Sequence, residues 1–225
     1  MSTAFQELFA KYVGTSWIKQ LALADVTQNG SASWNVDLAS GTITFGECEP
    51  QKVSLLGSES SQRNSWLWAW DNKQVNCHPS VLQDSIMLKE YGEIDDIPEL
   101  THPELSLQGI DGNILAMVAA GVLNSGSYYS CPTSEAVRVF LLLPNFPVLT
   151  EEQQSAARII RAVSELVGVF AVNHEQLLQG LIDGMEMGSQ RKGDALTIIT
   201  RKGEDLSFKL DQHGRIVEFA TLLKP

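Results

Sequence analysis

Ser65-Trp66-Leu67-Trp68-Ala69-Trp70 is the stretch that decides the fold class. A strand's period of two places the three indoles on one face and Leu67 and Ala69 on the other. Working outward, Ser33 to Leu38, Thr42 to Phe45 and Val53 to Glu59 are short alternating segments like the tryptophan run itself, Trp66 to Asp71. Ser40-Gly41, Glu49-Pro50 and Gln62-Arg63-Asn64 separate them. Together they predict an antiparallel meander. The indole face has two readings. It is a flat stacking platform for a small molecule, or it is a core wall beneath a helix, the reading that burial statistics for aromatic strands favour.

Helical spacing flanks the meander. Phe5, Leu8, Phe9, Tyr12 and Val13 fall at i, i+3, i+4, i+7 and i+8, and Thr3 with Gln6 has the form of a capping box. A helix is therefore expected from Ala4, with Gly14 a candidate break and Trp17, Ile18 and Leu21 continuing its apolar side. Pro79 suits the first turn of a helix through Tyr91 that stops at Gly92 and leads into an acidic, proline-containing loop. Asp111-Gly112 opens a small-residue helix, Ile114 to Leu123, expected to be deeply buried. Tyr128 to Cys131 and Val137 to Leu143 read as strands covered on both faces.

The second half repeats the order of helix and then strand. Thr150-Glu151-Glu152-Gln153 is a second capping box before an amphipathic helix that carries Ala156, Ile159, Ile160, Val163, Leu166 and Val167 and closes at Gly168. Asn173 with Gln176 opens another helix, ending at Gly184. Beyond Met185 the period becomes two. Leu196 to Thr200, Leu206 to Leu210 and Arg215 to Ala220, joined by glycine-containing turns, predict a second meander. The expected fold is α+β: antiparallel β-meanders covered by helices, two helix-plus-sheet halves packed as one unit. Residues 1–225 read as a single compact domain with pseudo-halves 1–131 and 132–225.

The run Trp66-Leu67-Trp68-Ala69-Trp70-Asp71-Asn72, preceded by Leu56-Gly57-Ser58 and followed by Tyr91-Gly92, resembles a family of uncharacterised bacterial proteins marked by a Trp-x-Trp-x-Asn element. The likeness covers residues 30 to 143 and extends more loosely to Gly214-Arg215-Ile216. This chain has Asp71 where such proteins commonly carry alanine. The resemblance implies a bacterial cytosolic protein and brings no assigned activity.

Composition narrows the function classes. The chain has 16 basic and 27 acidic residues, a formal net charge of −11, which opposes binding to nucleic acid or anionic membranes. No apolar run approaches the length of a membrane span, and the first residues lack a secretory signal. Three widely spaced cysteines, Cys48, Cys77 and Cys131, suit reduced thiols in a cytoplasmic protein. Four scattered histidines predict no metal site, and no glycine loop points to a nucleotide, so no cofactor is expected. Cys77-His78, the one adjacent nucleophile and base pair, reads as a turn before Pro79.

Two candidate sites remain. Between Asp84 and Asp111 eight acids face Lys89 alone, and Glu93, Asp95, Asp96 and Glu99 form an expected docking surface for a basic protein. Trp66, Trp68, Trp70, Asp71, Asn72 and Tyr128 are the candidates for a pocket. The sequence thus favours a non-catalytic binding protein, with a small-molecule binder or hydrolase beside the tryptophan strand as the alternative. Exposed strand edges also allow a homodimer.

Overall fold

A computed structural model describes residues 1–75 and 77–222. The fold is α+β with antiparallel sheets. Its contacts divide it into two compact units, one of Met1–Phe5 with Leu23–Val148, the other of Gln6–Ala22 with the chain from Leu149 onward. Helix α1 (Thr3–Val26) contributes to both. Its N-cap is Ser2, whose hydroxyl accepts from the Phe5 N–H at 3.2 Å, so the helix starts one residue before the sequence placed it. It runs unbroken through Gly14. There a Cβ would sit 3.2 Å from Cδ1 of Leu181, so glycine serves a close approach between helices and not a break.

In the first unit, β1 (Trp34–Asp37), β2 (Thr42–Phe45) and β3 (Gln51–Lys52) form a small sheet of their own. Then β4 (Ser54–Ser60) and β5 (Ser65–Trp68) belong to a separate five-stranded sheet. Between β5 and the rest of that sheet come α2 (Gln83–Ile94) and the short α3 (Pro98–Thr101). The sheet is completed by β6 (Glu104–Ser106), β7 (Ser127–Pro132) and β8 (Val137–Leu143) in the order β6-β5-β4-β8-β7. The expected single meander is therefore two sheets, because β4 pairs with the distant β8.

Strand alternation builds a two-sided core around β4. Gly57 lies opposite Trp68 on one side and Phe140 on the other, so Trp66, Trp68 and Phe140 share a face, with ring centroids 5.2 and 5.1 Å from Trp66. The N-terminus of α4 (Gly112–Val122) covers this face, where the Gly112 N–H donates to Glu59 Oε2 at 2.9 Å. The opposite face carries Cys131, Leu141 and Leu143, which join Ile43 and Phe45 of the small sheet in one apolar cluster.

In the second unit, α5 (Ala156–Val169) and α6 (His174–Gly184) bury Ile159, Val163, Leu166, Leu177, Leu178 and Leu181. Asn173 caps α6 as its sequence predicts, accepting from the Gln176 N–H at 3.0 Å. Thr150 and Gln153 do exchange hydrogen bonds, but they close a 3₁₀ turn, and Ser155 caps α5. The second meander holds four strands, β9 (Gly188–Lys192), β10 (Ala195–Ile199), β11 (Asp205–Leu210) and β12 (Ile216–Leu222), paired in sequence order. Side chains link sheet and helices: Glu204 Oε2 accepts from the Ala156 N–H at 2.9 Å, and His174 Nδ1 accepts from the Ile216 N–H at 3.0 Å.

Candidate docking surface around the second helix

The tryptophan row is shorter than its sequence implies. Strand β5 ends at Trp68, and Ala69–Asp71 form a 3₁₀ turn. Two anchors fix that end. The Trp68 N–H donates to the Pro103 carbonyl, and its indole Nε1 donates to the Glu99 carbonyl, both at 3.0 Å. Ala69 drops into the apolar cluster of the opposite face. Trp66 and Trp68 have 0% of their surface exposed. Trp66 and Trp68 are thus core wall, and the expectation that three indoles share one face is corrected to two, with Trp70 turned elsewhere.

Trp70 instead meets α2. Lys89 Nζ stands 4.9 Å from its ring centroid and 3.4 Å from Glu93 Oε1. The turn after the tryptophan strand and the acidic segment, separate in sequence, thus share one lysine. Such a cation–π contact contributes about 0.5–1 kcal/mol at an exposed site and the ion pair less than about 1 kcal/mol. Their main effect is orientation. Asn72 Oδ1 accepts from the Gln74 N–H at 3.1 Å and closes the turn, while Asp71 is exposed. Tyr128 is engaged elsewhere. Its hydroxyl donates to Asn113 Oδ1 at 3.2 Å, and burial, with Asp111 adding to it, pushes that hydroxyl's pKa well up.

Helix α2 owes its position to a narrow stripe. Val81 just before it, and then Ser85, Leu88 and Gly92, recur at i, i+4, i+7 and i+11 and are buried. The helix continues through Gly92 to Ile94, and the expected acidic loop beyond contains α3 and β6. On the outward side Ile86, Met87 and Ile94 are 42%, 48% and 82% exposed. They fall at i, i+1 and i+8, with Glu90 between them on the same side. Charge pattern alone marks only the acids of this segment. The adjoining apolar run Ile86-Met87-Leu88, longer than one buried stripe requires, is the sequence signal for this outer face.

The acidic set itself changes membership. Glu93, Asp95 and Asp96 are exposed, but Glu99 is half-buried and receives the main-chain N–H of Ser2 and, at 2.7 Å, its hydroxyl. Glu99 therefore ties down the start of α1 and is not part of an open acidic surface. Asp95 is the C-cap of α2, and Asp96 follows with φ of 52°, the left-handed step that ends the helix. No basic residue occupies the last turn of α2. Carboxylates here sit where the unpaired helix carbonyls concentrate negative potential, a placement that costs each about 0.3–1 kcal/mol.

Other candidates resolve into local structure. His78 Nδ1 caps the 3₁₀ turn at Pro79–Leu82 and lies 2.8 Å from Ser80 Oγ, while burial raises the Cys77 thiol's pKa. A groove of about 210 Å³ beside α3 is lined by Pro98, Glu99, His102, Leu105, Ser106 and Ile110 among others, and none of the three tryptophans forms its wall.

The sequence matches a family of unknown function, DUF6882, over residues 6–146. The chain belongs to that family. No curated protein matches it, and no solved structure does. The DUF6882 match takes in the tryptophan strand, the turn at Trp70 and all of α2, and it stops before α5.

Proposed function

We propose that this DUF6882 protein is a non-catalytic interaction protein whose α2 surface takes a basic, amphipathic segment of a partner protein. The observation that carries the reading is the exposure of Ile86, Met87 and Ile94 on the acid-lined outer side of one helix. Isolated exposed apolar side chains are ordinary, but a run of them along one helix face with a polar rim is the composition of a docking site. Charge complementarity names the occupant. Asp95 and Asp96 crowd the negative end of α2, so cations of a partner would relieve both the carboxylates and the helix carbonyls. Three free thiols fit a reducing cytosol as the setting. A small-molecule or hydrolytic pocket walled by the tryptophans would need an open indole face, and Trp66 and Trp68 present none.

The test uses a synthetic helical peptide with leucines on one face and lysines on its flanks, and a scrambled peptide of identical composition. Calorimetry at low salt is expected to show the ordered peptide binding about tenfold more tightly than the scrambled one, a difference of about 1.4 kcal/mol. Ile86→Ser with Met87→Ser and Ile94→Ser, or Glu90→Gln with Asp95→Asn and Asp96→Asn, is expected to remove that preference. High salt should weaken binding. Equal binding of the two peptides, or binding that neither set of substitutions changes, would overturn the proposal.

A further inference from the structure

The sheet of the second unit ends on β9 at one side and β12 at the other, and the two edges differ in chemistry. Strand β9 reads Gly188-Ser189-Gln190-Arg191-Lys192, wholly exposed, with two adjacent cations of the kind that discourages edge pairing. Strand β12 carries one charge, Glu218, while Val217 and Phe219 are 59% and 46% exposed. An edge strand leaves every second pair of backbone groups without a strand partner. The side chains then decide whether another chain can pair there.

Register shows what β12 offers. Phe219 stands opposite Phe208, which stands opposite Leu196, so Phe219 shares the sheet face on which Leu196 and Phe208 are buried. The Phe208 and Phe219 ring centroids are 6.4 Å apart. An apolar row therefore crosses the sheet and finishes on a half-uncovered ring. The bulge opposite Lys209 and Leu210 leaves Val217 unpaired, and regular pairing resumes at Glu218.

We infer that the chain forms a twofold homodimer through β12, with two copies of the strand antiparallel and centred on Phe219. A twofold axis through that residue sets Phe219 against its counterpart, Glu218 against Ala220 and Val217 against Thr221. The aromatic row becomes continuous and no like charges meet. Sliding one copy by two residues toward the bulge would set Glu218 against Glu218, so the sequence discriminates between registers as well as permitting one. This self-complementarity is what makes a second copy, and not an unrelated strand, the occupant. The inference is independent of the α2 reading, and β12 lies outside the family match.

Sedimentation of the full chain over a range of concentrations tests it, and reversible dimerisation is expected. Ala220 is exposed on β12, so Ala220→Glu and Ala220→Lys should fold as the wild type does. In the proposed register Ala220→Glu meets Glu218 twice and weakens the dimer about tenfold, and Ala220→Lys meets it twice and tightens the dimer by a similar factor. Amide exchange in β12 should slow as concentration rises. A monomer at every concentration, a dimer indifferent to both substitutions, or weakening by Ala220→Lys as well as Ala220→Glu would overturn the inference.

Discussion

Replacing Gly57 with alanine tests whether the tryptophan row is a rigid wall. The new methyl carbon would lie 2.4 Å from Cζ2 and 2.7 Å from Cε2 of Trp66, and 2.7 Å from the Leu67 carbonyl oxygen. Trp66 has no free direction in which to swing, being fully buried with Trp68 and Phe140 against it. The Leu67 oxygen is main chain in a paired strand, since Leu67 stands opposite Ser58. Overpacking costs about 1–3 kcal/mol, and simultaneous clashes with a locked ring and a backbone atom put Gly57→Ala at the upper end. Alanine's smaller unfolded-state entropy offsets about 0.4–1 kcal/mol, leaving a net loss of about 2 kcal/mol. For a chain of this length that lowers the unfolding midpoint by about 4–8 °C. Gly168→Ala is the control of opposite sign: it lies in α5 with nothing within 4 Å of the added carbon, so it should stabilise by about 0.5–1 kcal/mol. Thermal and urea unfolding, followed by tryptophan emission and far-ultraviolet dichroism, measure both. A Gly57→Ala midpoint equal to or above that of the wild type would refute the rigid wall.

Further outcomes follow from the same structure. Asp95→Lys puts a cation at the C-cap of α2 and should raise stability by about 0.3–1 kcal/mol in urea unfolding, while weakening capture of the basic peptide. His174 is held below the usual imidazole range by burial and by Arg215, so its neutral form, which accepts from the Ile216 N–H, is the stabilising one. That contribution is whole above pH of about 6.5 and is lost as pH falls through the lowered native value, which hydrogen exchange at Ile216 should report as a loss of protection relative to the intrinsic rate at each pH. Burial pushes the Cys131 thiol up to about 12, so alkylation mapped by mass spectrometry at mildly alkaline pH should spare it until the protein unfolds.

Local chemistry made part of this fold legible. Thr42–Phe45 and Val137–Leu143 are strands over the residues their alternation marks, and Asn173 caps the helix its spacing announces. Strand β9 was invisible because Gly188-Ser189-Gln190-Arg191-Lys192 buries neither face and so has no apolar period. The pairing of β4 with β8 was invisible for another reason: strand partners about eighty residues apart leave no local trace. At the site, alternation correctly marked Trp66 and Trp68 as neighbours on one face but continued past the point where Ala69 turns into the core. Charge counting grouped Glu93, Asp95 and Asp96, which are exposed, with Glu99, which is half-buried and bonded to Ser2. Neither contact has a signature in composition.

The divided allegiance of α1 has a consequence for how the chain is made. Its middle packs with late sequence: Phe9 and Trp17 meet Phe170 edge-on at 5.2 and 6.4 Å, and Trp17 Nε1 donates to Glu165 at 2.9 Å. During synthesis that apolar side emerges before its partners and waits for some 150 residues, on the order of ten to thirty seconds at ribosomal rates, until they exist. For that interval the first unit, which holds most of the family match, must form beside an unsatisfied helix. A helix that precedes both sheets in the chain is thus among the last elements to be finished, and a chaperone that grips it early would act on the second unit before any of its strands has been translated.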